Sequence, residues 1–186
     1  MRIGLKRMTR DNERVDDTPF WRREPFWIVG LLVVTALLYL PALRNGFTNW
    51  DDSWYITENA RLADGSWQGL AYWFTNYFHG QYSPIGNVVT ALLFQIDGMN
   101  PFWFHLGSIL LHLANCVLVY AFIKRLTGKT IHAEIVALLF AIHPMQTEAI
   151  AWAAAIKIPL YAMFTLIALL FYMRYLDEKR GLWFWL

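Results

Sequence analysis

The sequence has little cysteine and little charge. Its 186 residues contain a single cysteine, Cys116, which allows neither an internal disulfide nor a CxxC metal site. Only 16% of the residues are charged, whereas about 25% are charged in ordinary soluble domains. The 16 basic and 14 acidic residues give a net charge of +2. This balance excludes a protein that binds nucleic acid through a basic face.

Hydrophobic and aromatic residues are abundant instead. They make up 57% and 17% of the chain, and ten Trp, nine Tyr and thirteen Phe exclude a disordered protein. The uncharged residues are gathered in long runs, which predicts an all-α integral membrane protein with about four transmembrane helices. Cys116 lies inside one of these runs, where a small buried thiol is the simplest interpretation.

Four runs are candidates for spans, because a helix needs about 20 apolar residues to cross the bilayer core. The first run follows 24 highly charged residues, so it is expected to be a retained anchor and not a signal peptide. The third has only 13 uncharged positions and must continue past Glu148 to reach full length. The predicted spans are residues 25–43, 101–124, 132–152 and 157–176.

The basic residues predict the orientation of the chain. Residues 1–24 contain seven Arg or Lys, whereas residues 44–100 contain two. The positive-inside rule therefore places the basic segment 1–24 and the turn 124–131 in the cytoplasm and residues 44–100 outside it. Residues 177–186 are expected to be a cytoplasmic tail or the start of a further span. The expected location is a bacterial inner membrane with the N-terminus in the cytoplasm.

The extracytoplasmic segment 44–100 is too long to be a simple connection. Residues 84–96 are apolar but too short to cross the membrane, so they predict a helix that dips into the interface. A preceding aromatic stretch predicts an amphipathic helix on the membrane surface. Its apolar residues recur at helical spacing: Trp67, Leu70, Ala71, Phe74 and Phe78.

An acidic pair, Asp51 and Asp52, follows the first predicted span closely. Adjacent carboxylates at this position could act as a general base or as ligands of a divalent metal, so the use of a metal is left open. A solvated loop is the alternative for such a pair. The flanking aromatic residues, Trp50 and Trp54 among them, favour a functional site, because an apolar setting raises the pKa of a carboxyl.

A second group of polar residues lies at the predicted outer end of the third span. His143 and Glu148 are five positions apart, and Pro144 between them predicts a bend. Ionisable residues are costly inside a membrane and usually mark a site or a paired partner. Lys157 follows near the same surface, where it could bind a phosphate or extend to the lipid headgroups. Glu148 is predicted to lie within about 12 Å of the acidic pair. This distance leaves room for a sugar between them while a general base contacts the reacting hydroxyl.

The second predicted span carries a polar stripe on one helix face. For His112 and Asn115, hydrogen bonding between helices is favoured over catalysis. His105 is nearer the outer surface and is a candidate for substrate binding. The stripe consists of His105, Ser108, His112 and Asn115.

Three ordered segments resemble a known family: FTNWDDSWYITEN from Phe47, YSPIGNVVTALLFQIDGMNPFWFHL from Tyr82, and ALLFAIHPMQTEAIAWAAAIKIPLYAM from Ala137. They are similar to polytopic GT-C glycosyltransferases, and most of all to protein O-mannosyltransferase-like membrane proteins that often carry tetratricopeptide repeats. The similarity covers roughly residues 26–180. It implies a GT-C-like N-terminal half that uses a sugar linked to a polyprenyl or dolichyl phosphate.

The resemblance also implies roles for individual residues. Asp51 would deprotonate the hydroxyl of a protein or glycan acceptor, with Asp52 as its neighbour in the acidic motif. His143, Glu148 and Lys157 would belong to the second outer-face motif. Membrane lipids and the lipid-linked sugar donor are the expected partners, a larger membrane complex is possible, and nucleic acid is not expected.

The chain departs from the family pattern at two positions. Ala155-Ile156-Lys157-Ile158 stands where relatives often have Glu-Arg-Lys-Asp or Gly-Arg-Ala-Asp, and Ser83 stands where an Arg or His often precedes the proline. The chain is expected to be an N-terminal fragment or a short protein built from the front half of such an enzyme. A non-catalytic membrane subunit is therefore the alternative to a glycosyltransferase.

Overall fold

The computed structural model describes residues 20–179, and this part of the chain contains helices and no strands. Four short helical turns join the α-helices: Leu40–Arg44, Ser53–Thr57, Ala60–Ala63 and Ala153–Ile156. The α-helices are α1 (Phe20–Tyr39), α2 (Trp67–Thr75), α3 (Pro84–Asp97), α4 (Pro101–Thr127), α5 (Thr130–Ile142), α6 (Gln146–Ala151) and α7 (Lys157–Glu178).

The two predicted cytoplasmic ends lie largely outside the described residues. Of the basic segment 1–24, only residues 20–24 are described, and they form the start of α1. Of the predicted tail 177–186, only residues 177–179 are described.

Three helical stretches in the described part are long and apolar enough to cross a membrane: Pro25–Arg44, Pro101–Thr127 and Ala153–Glu178. They coincide with the first, second and fourth predicted spans. The all-helical membrane fold is therefore confirmed, whereas the count of four spans is not.

The third predicted span, 132–152, is not one helix. Its first part is α5, whose 13 residues measure about 20 Å, short of the roughly 30 Å bilayer core. The break follows from Pro144, which lacks a backbone N–H and disfavours a helical conformation at His143. His143 stabilises the break, because its Nδ1 accepts a hydrogen bond of 3.2 Å from the backbone N–H of Met145.

Helices α1 and α4 run in opposite directions. Trp27 stacks on Tyr120 near one end with ring centroids 5.6 Å apart. Tyr39 meets His112 edge-on at 5.3 Å further along the pair. Residue numbers rise along α1 as they fall along α4, so the two helices are antiparallel.

Helices α4 and α7 run in the same direction. The side chain of Asn115 donates a hydrogen bond of 2.8 Å to the carbonyl of Pro159, and Arg125 pairs with Asp177 at 2.5 Å. Because α4 and α7 run in the same direction, the chain between them must cross back to the end at which α4 began. The segment 128–156, with its break at Pro144, makes this return.

The contact between α4 and α5 is built on small residues. Three alanines on one face of α5 are fully buried in a cluster with Cys116 and Leu31. Small side chains let two helix backbones approach closely, which is the usual way in which membrane helices associate. The alanines are Ala133, Ala137 and Ala141.

The segment 44–100, which we call the outer segment after its predicted location, folds against one end of the long helices. The helix expected near Trp67 is present as α2, although Phe78 lies beyond its end. Trp73 is buried, whereas Trp67 is 80% exposed, so the apolar face that was predicted to meet the membrane points away from the core. The core of this segment contains Ile56, Leu62, Trp73, Ala91, Phe104 and Ala153.

Candidate functional site

Asp52 is a fully buried carboxylate that joins two distant parts of the chain. One oxygen accepts hydrogen bonds from the backbone N–H of Thr48 at 2.7 Å and from its hydroxyl at 3.0 Å. The other accepts from the backbone N–H of Ala154 at 2.7 Å. Buried charges are tolerated only when they are well paired with donors. Asp52 therefore fastens the outer segment to the turn that precedes α7.

Asp51 occupies a different environment from its neighbour. Its side chain is partly buried, and its negative charge acts on both Tyr55 and Lys157. No hydrogen bond to Asp51 is recorded among the described residues. The acidic pair therefore divides into a buried structural carboxylate, Asp52, and a partly accessible one, Asp51.

Lys157 lies at the start of α7 and contacts the outer segment through its ammonium group. Its Nζ donates a hydrogen bond of 2.5 Å to Oε1 of Gln81 and lies 4.6 Å from the ring centroid of Tyr55. One turn later on the same helix, the hydroxyl of Tyr161 shares a hydrogen bond of 2.8 Å with Ser83. These contacts place the ammonium group at the edge of a cleft.

The cleft lies where α7 meets the outer segment. A Cβ atom at position 86 would lie 2.7 Å from Oγ of Ser83 and 3.3 Å from Cβ of Lys157. The absence of this atom in Gly86 therefore permits α3 to approach α7. The free volume of about 10 Å³ suits about one water molecule, so a larger ligand would bind at the mouth. The polar residues in its wall are Tyr55, Asn59, Gln81, Ser83, Asn87, Thr90 and Lys157.

The phenol of Tyr55 remains neutral at physiological pH. Burial is the main cause that raises its pKa above the ordinary value, and the charge of Asp51 and the proximity of Tyr161 raise it further. A neutral phenol can donate a hydrogen bond, and its ring offers a negative face to the ammonium of Lys157.

Of the predicted site residues, Lys157 lines the cleft wall, whereas Asp51, Asp52, His143, Glu148 and His105 do not. His143 is exposed and caps the break after α5. Glu148 is exposed on α6 and has no hydrogen bond or ion pair with Asp51, Asp52 or Lys157 in the described part. The proposed proximity of Glu148 to the acidic pair stays a prediction.

The polar stripe on α4 is buried between helices. His112 bonds to the carbonyl of Ala141 at 3.0 Å, and this carbonyl lies in the last turn of α5, where no helical N–H remains to pair with it. His105 is 1% exposed, and neither of its ring nitrogens has a hydrogen-bond partner among the described residues. It does not line the cleft.

Several residues of the site were missed by sequence reasoning. Ala154 gave no signal, because its bond to Asp52 spans 102 positions. Thr48 lies only four positions before Asp52 and was not selected as a candidate. Gln81 could have been suspected from the adjacent His-Gly pair, which is a turn signal. Among the described residues, no three His, Cys, Asp or Glu side chains are grouped to hold a metal ion.

Comparison with known proteins identifies relatives of this chain. Human protein O-mannosyl-transferase TMTC1 is 35% identical over 182 aligned residues, which cover 88% of this chain and 20% of the relative. Mouse protein O-mannosyl-transferase TMTC2 is 32% identical over 82% of this chain and 19% of its own length. Human protein O-mannosyl-transferase TMTC4 is 28% identical over 83% of this chain and 24% of its own length.

The matches confirm the predicted resemblance to the O-mannosyltransferase-like membrane proteins. This chain spans about a fifth of the length of these relatives. No family model and no solved structure matches it. The relatives come from animals, so they give no support to the expected bacterial inner membrane.

Proposed function

Because this chain is an integral membrane protein homologous to part of the protein O-mannosyl-transferases, we propose that it forms the front part of a GT-C-type glycosyltransferase. The donor would be a sugar on a polyprenyl phosphate, and the acceptor a hydroxyl of a protein on the extracytoplasmic side. The observation that carries this proposal is a partly buried carboxylate, Asp51, whose charge acts on the ammonium of Lys157, a residue of the cleft wall.

Asp51 would act as the general base. A hydroxyl group is a poor nucleophile at neutral pH, so its proton must be accepted as the bond to the sugar forms. The acceptor oxygen would attack C1 of the sugar while the bond from C1 to the phosphate oxygen breaks. The proton would pass to Asp51, and the lipid phosphate would leave with the electron pair of the broken bond.

Lys157 would hold the phosphate of the donor. Its ammonium has three N–H donors, and Gln81 occupies one of them. The others can pair with phosphate oxygens, and the positive charge would stabilise the negative charge that develops on the leaving group. The amide nitrogen of Gln81 could add a further donor at the mouth of the cleft.

The roles first assigned to the other candidates change in this proposal. Asp52 would position Asp51 and Lys157 through its bonds to Thr48 and Ala154, and would not itself contact substrate. His105, His143 and Glu148 would act outside the reacting centre, His143 by stabilising the break after α5.

Transfer assays in membranes that contain the protein test this function. Asp51→Asn should lower the transfer rate by about 10²–10⁴-fold, because a proton acceptor is lost from the reaction. The nearly isosteric amide should leave the fold intact. Asp97→Asn, which changes an exposed acid away from the cleft, is the matched control and should transfer sugar normally. Wild-type rates in Asp51→Asn would remove Asp51 from the role of base.

A non-catalytic membrane subunit is the second candidate function. The observation that favours it is the turn before α7, where Ala153, Ala154, Ala155 and Ile156 are all buried and offer no polar side chain to a donor. Lys157 is then the one basic residue in the cleft wall of the described part. Absence of transfer by the wild-type protein, under conditions in which a related enzyme is active, would favour this candidate.

The proposed orientation places the N-terminus in the cytoplasm and residues 44–100 outside it. Single cysteines at the exposed positions Gln68 and Lys129 can be probed in a Cys116→Ala background with an impermeant thiol reagent. Gln68→Cys should react in intact cells, and Lys129→Cys only after permeabilisation. The reverse pattern would overturn the orientation.

A further inference from the structure

A tight hairpin turn near the cleft carries a residue that its backbone disfavours. Phe78 and Gln81 exchange two backbone hydrogen bonds of 3.0 Å, and His79 and Gly80 between them have φ angles of 45° and 74°. A two-residue turn with both φ angles positive favours Asn-Gly or Asp-Gly. Histidine adopts a positive φ more often than most residues but is not among those that this turn favours, so the turn itself does not account for its imidazole ring.

The ring of His79 belongs to an aromatic group that includes two residues of the cleft wall, Tyr55 and Phe78. It stacks on Trp54 with centroids 5.6 Å apart and an interplanar angle of 13°. It also meets the rings of Phe78 and Tyr55 edge-on at 4.5 Å and 6.0 Å. Trp54 nevertheless remains 53% exposed. The stacking therefore orients the indole without covering it.

The same two chain segments carry the proposed reacting groups. Trp54 lies in the π-helical turn Ser53–Thr57, which begins two positions after Asp51, and such turns are frequent at functional sites. The hairpin that carries His79 also carries Gln81, the hydrogen-bond partner of Lys157. Tyr55 links the two groups, because its ring contacts both His79 and the ammonium of Lys157.

We propose that Trp54, oriented by His79, is the subsite on which the pyranose ring of the sugar donor stacks. This inference rests on the proposed function. One face of a pyranose presents C–H groups, which pack against an aromatic face, while the hydroxyl groups at its rim remain free for hydrogen bonds. A phosphate held by Lys157 is bonded directly to C1 of the sugar, so the ring must lie next to the ammonium.

Binding to the protein in lipid nanodiscs can separate the sugar from the phosphate. The two probes are citronellyl phosphomannose and citronellyl phosphate. The second lacks the sugar and, as a phosphate monoester, carries more negative charge, so each variant is compared with the wild type on the same probe. Trp54→Ala should bind the phosphomannose about 5–10-fold more weakly, as the loss of one aromatic stacking partner implies, and should bind citronellyl phosphate as the wild type does. Lys157→Ala should weaken the binding of both probes.

Two further variants sharpen the test. His79→Asn suits the turn and removes the imidazole, so the protein should fold normally and lose about 3-fold in affinity for the phosphomannose alone, a part of the stacking contribution. Trp67→Ala removes an exposed indole from α2, which is not part of the cleft wall. It is the matched control and should bind both probes normally.

The outcomes distinguish the subsite from the function on which it rests. Unchanged affinity of Trp54→Ala for the phosphomannose would overturn the subsite while leaving the proposed function in place. Equal loss for both probes would also overturn it, because Trp54 would then contribute to the lipid or the phosphate. If the wild-type protein binds neither probe, the proposed function and the subsite fail together.

Discussion

The membrane helices and the outer segment hold their residues in place by different means. Helices α4 and α5 meet through buried alanines, with the aliphatic and aromatic side chains of α1 packed beside them. The outer segment is attached by polar bonds between residues far apart in sequence, such as those of Asp52 to Ala154 and of Gln81 to Lys157. Removing a hydrogen-bond partner should therefore destabilise the outer segment, whereas enlarging a buried side chain should destabilise the packing of the helices.

The candidate site lies at the boundary between these two regions. Lys157 begins a membrane helix, while its partners Gln81 and Tyr55 belong to the outer segment. A site of this kind keeps its geometry only if the outer segment keeps its position relative to the helices. The buried carboxylate of Asp52 is the strongest polar attachment in the described part that serves this purpose.

Asp52→Ala should have the largest effect on stability. It leaves the backbone N–H groups of Thr48 and Ala154 without their acceptor, and hydrogen bonds to a charged group contribute about 1.5–3 kcal/mol each before relaxation. We expect a loss of about 3 kcal/mol in the free energy of unfolding, within the range for broken buried polar networks. Thermal unfolding in nanodiscs, followed by tryptophan fluorescence, measures it.

Asp51→Ala is the matched control for this prediction. Asp51 is the adjacent acid but accepts no recorded hydrogen bond, so its removal should change the free energy of unfolding by less than about 0.5 kcal/mol. Equal destabilisation by the two variants would contradict the assignment of Asp52, and not Asp51, as the structural carboxylate.

Ala137→Leu tests the contrasting region. The alanine is fully buried against α4, and extra methyl groups in a packed contact cost about 1–3 kcal/mol. We expect a lower unfolding temperature and separation of α5 from α4. In the control, Leu139→Ala, the side chain is 57% exposed on the same helix, and its loss should have little effect. Greater harm from Leu139→Ala would mean that the buried face of α5 is assigned wrongly.

The long helices could be predicted from the sequence, because the signal for a membrane helix is local. Long uncharged runs bounded by charged residues predict α1, α4 and α7 without knowledge of their neighbours. The break within 132–152 has a local cause as well, since Pro144, which predicted a bend, interrupts the helix there, and whether this stretch crosses the membrane stays a prediction. Hydropathy counts the residues of a run, whereas helix continuity depends on the backbone.

The geometry of the site could be predicted from the sequence only in part. The acidic pair and Lys157 could be selected as candidates by their chemistry and by family resemblance. The sequence does not tell Asp51 from Asp52, because part of the difference arises from the N–H of Ala154, 102 positions away from Asp52. The partners Gln81 and Tyr55 depend equally on how the hairpin packs against α7.

The smallest expected effect concerns the start of α2 and depends on pH. Hydrogen bonds from the hydroxyl and backbone N–H of Ser66 lower the pKa of Asp64 below its ordinary value, while Oγ of Ser66 accepts a bond of 3.1 Å from the N–H of Gly69. A lowered pKa stabilises the fold above the pKa of the unfolded chain, and this contribution disappears as the pH falls through the folded value. Asp64→Asn should therefore increase amide hydrogen exchange in Trp67–Thr75 slightly at neutral pH, and the difference from wild type should vanish in acid. Because Asp64 is exposed to solvent, a strong or pH-independent difference would show that it holds α2 by something other than its charge.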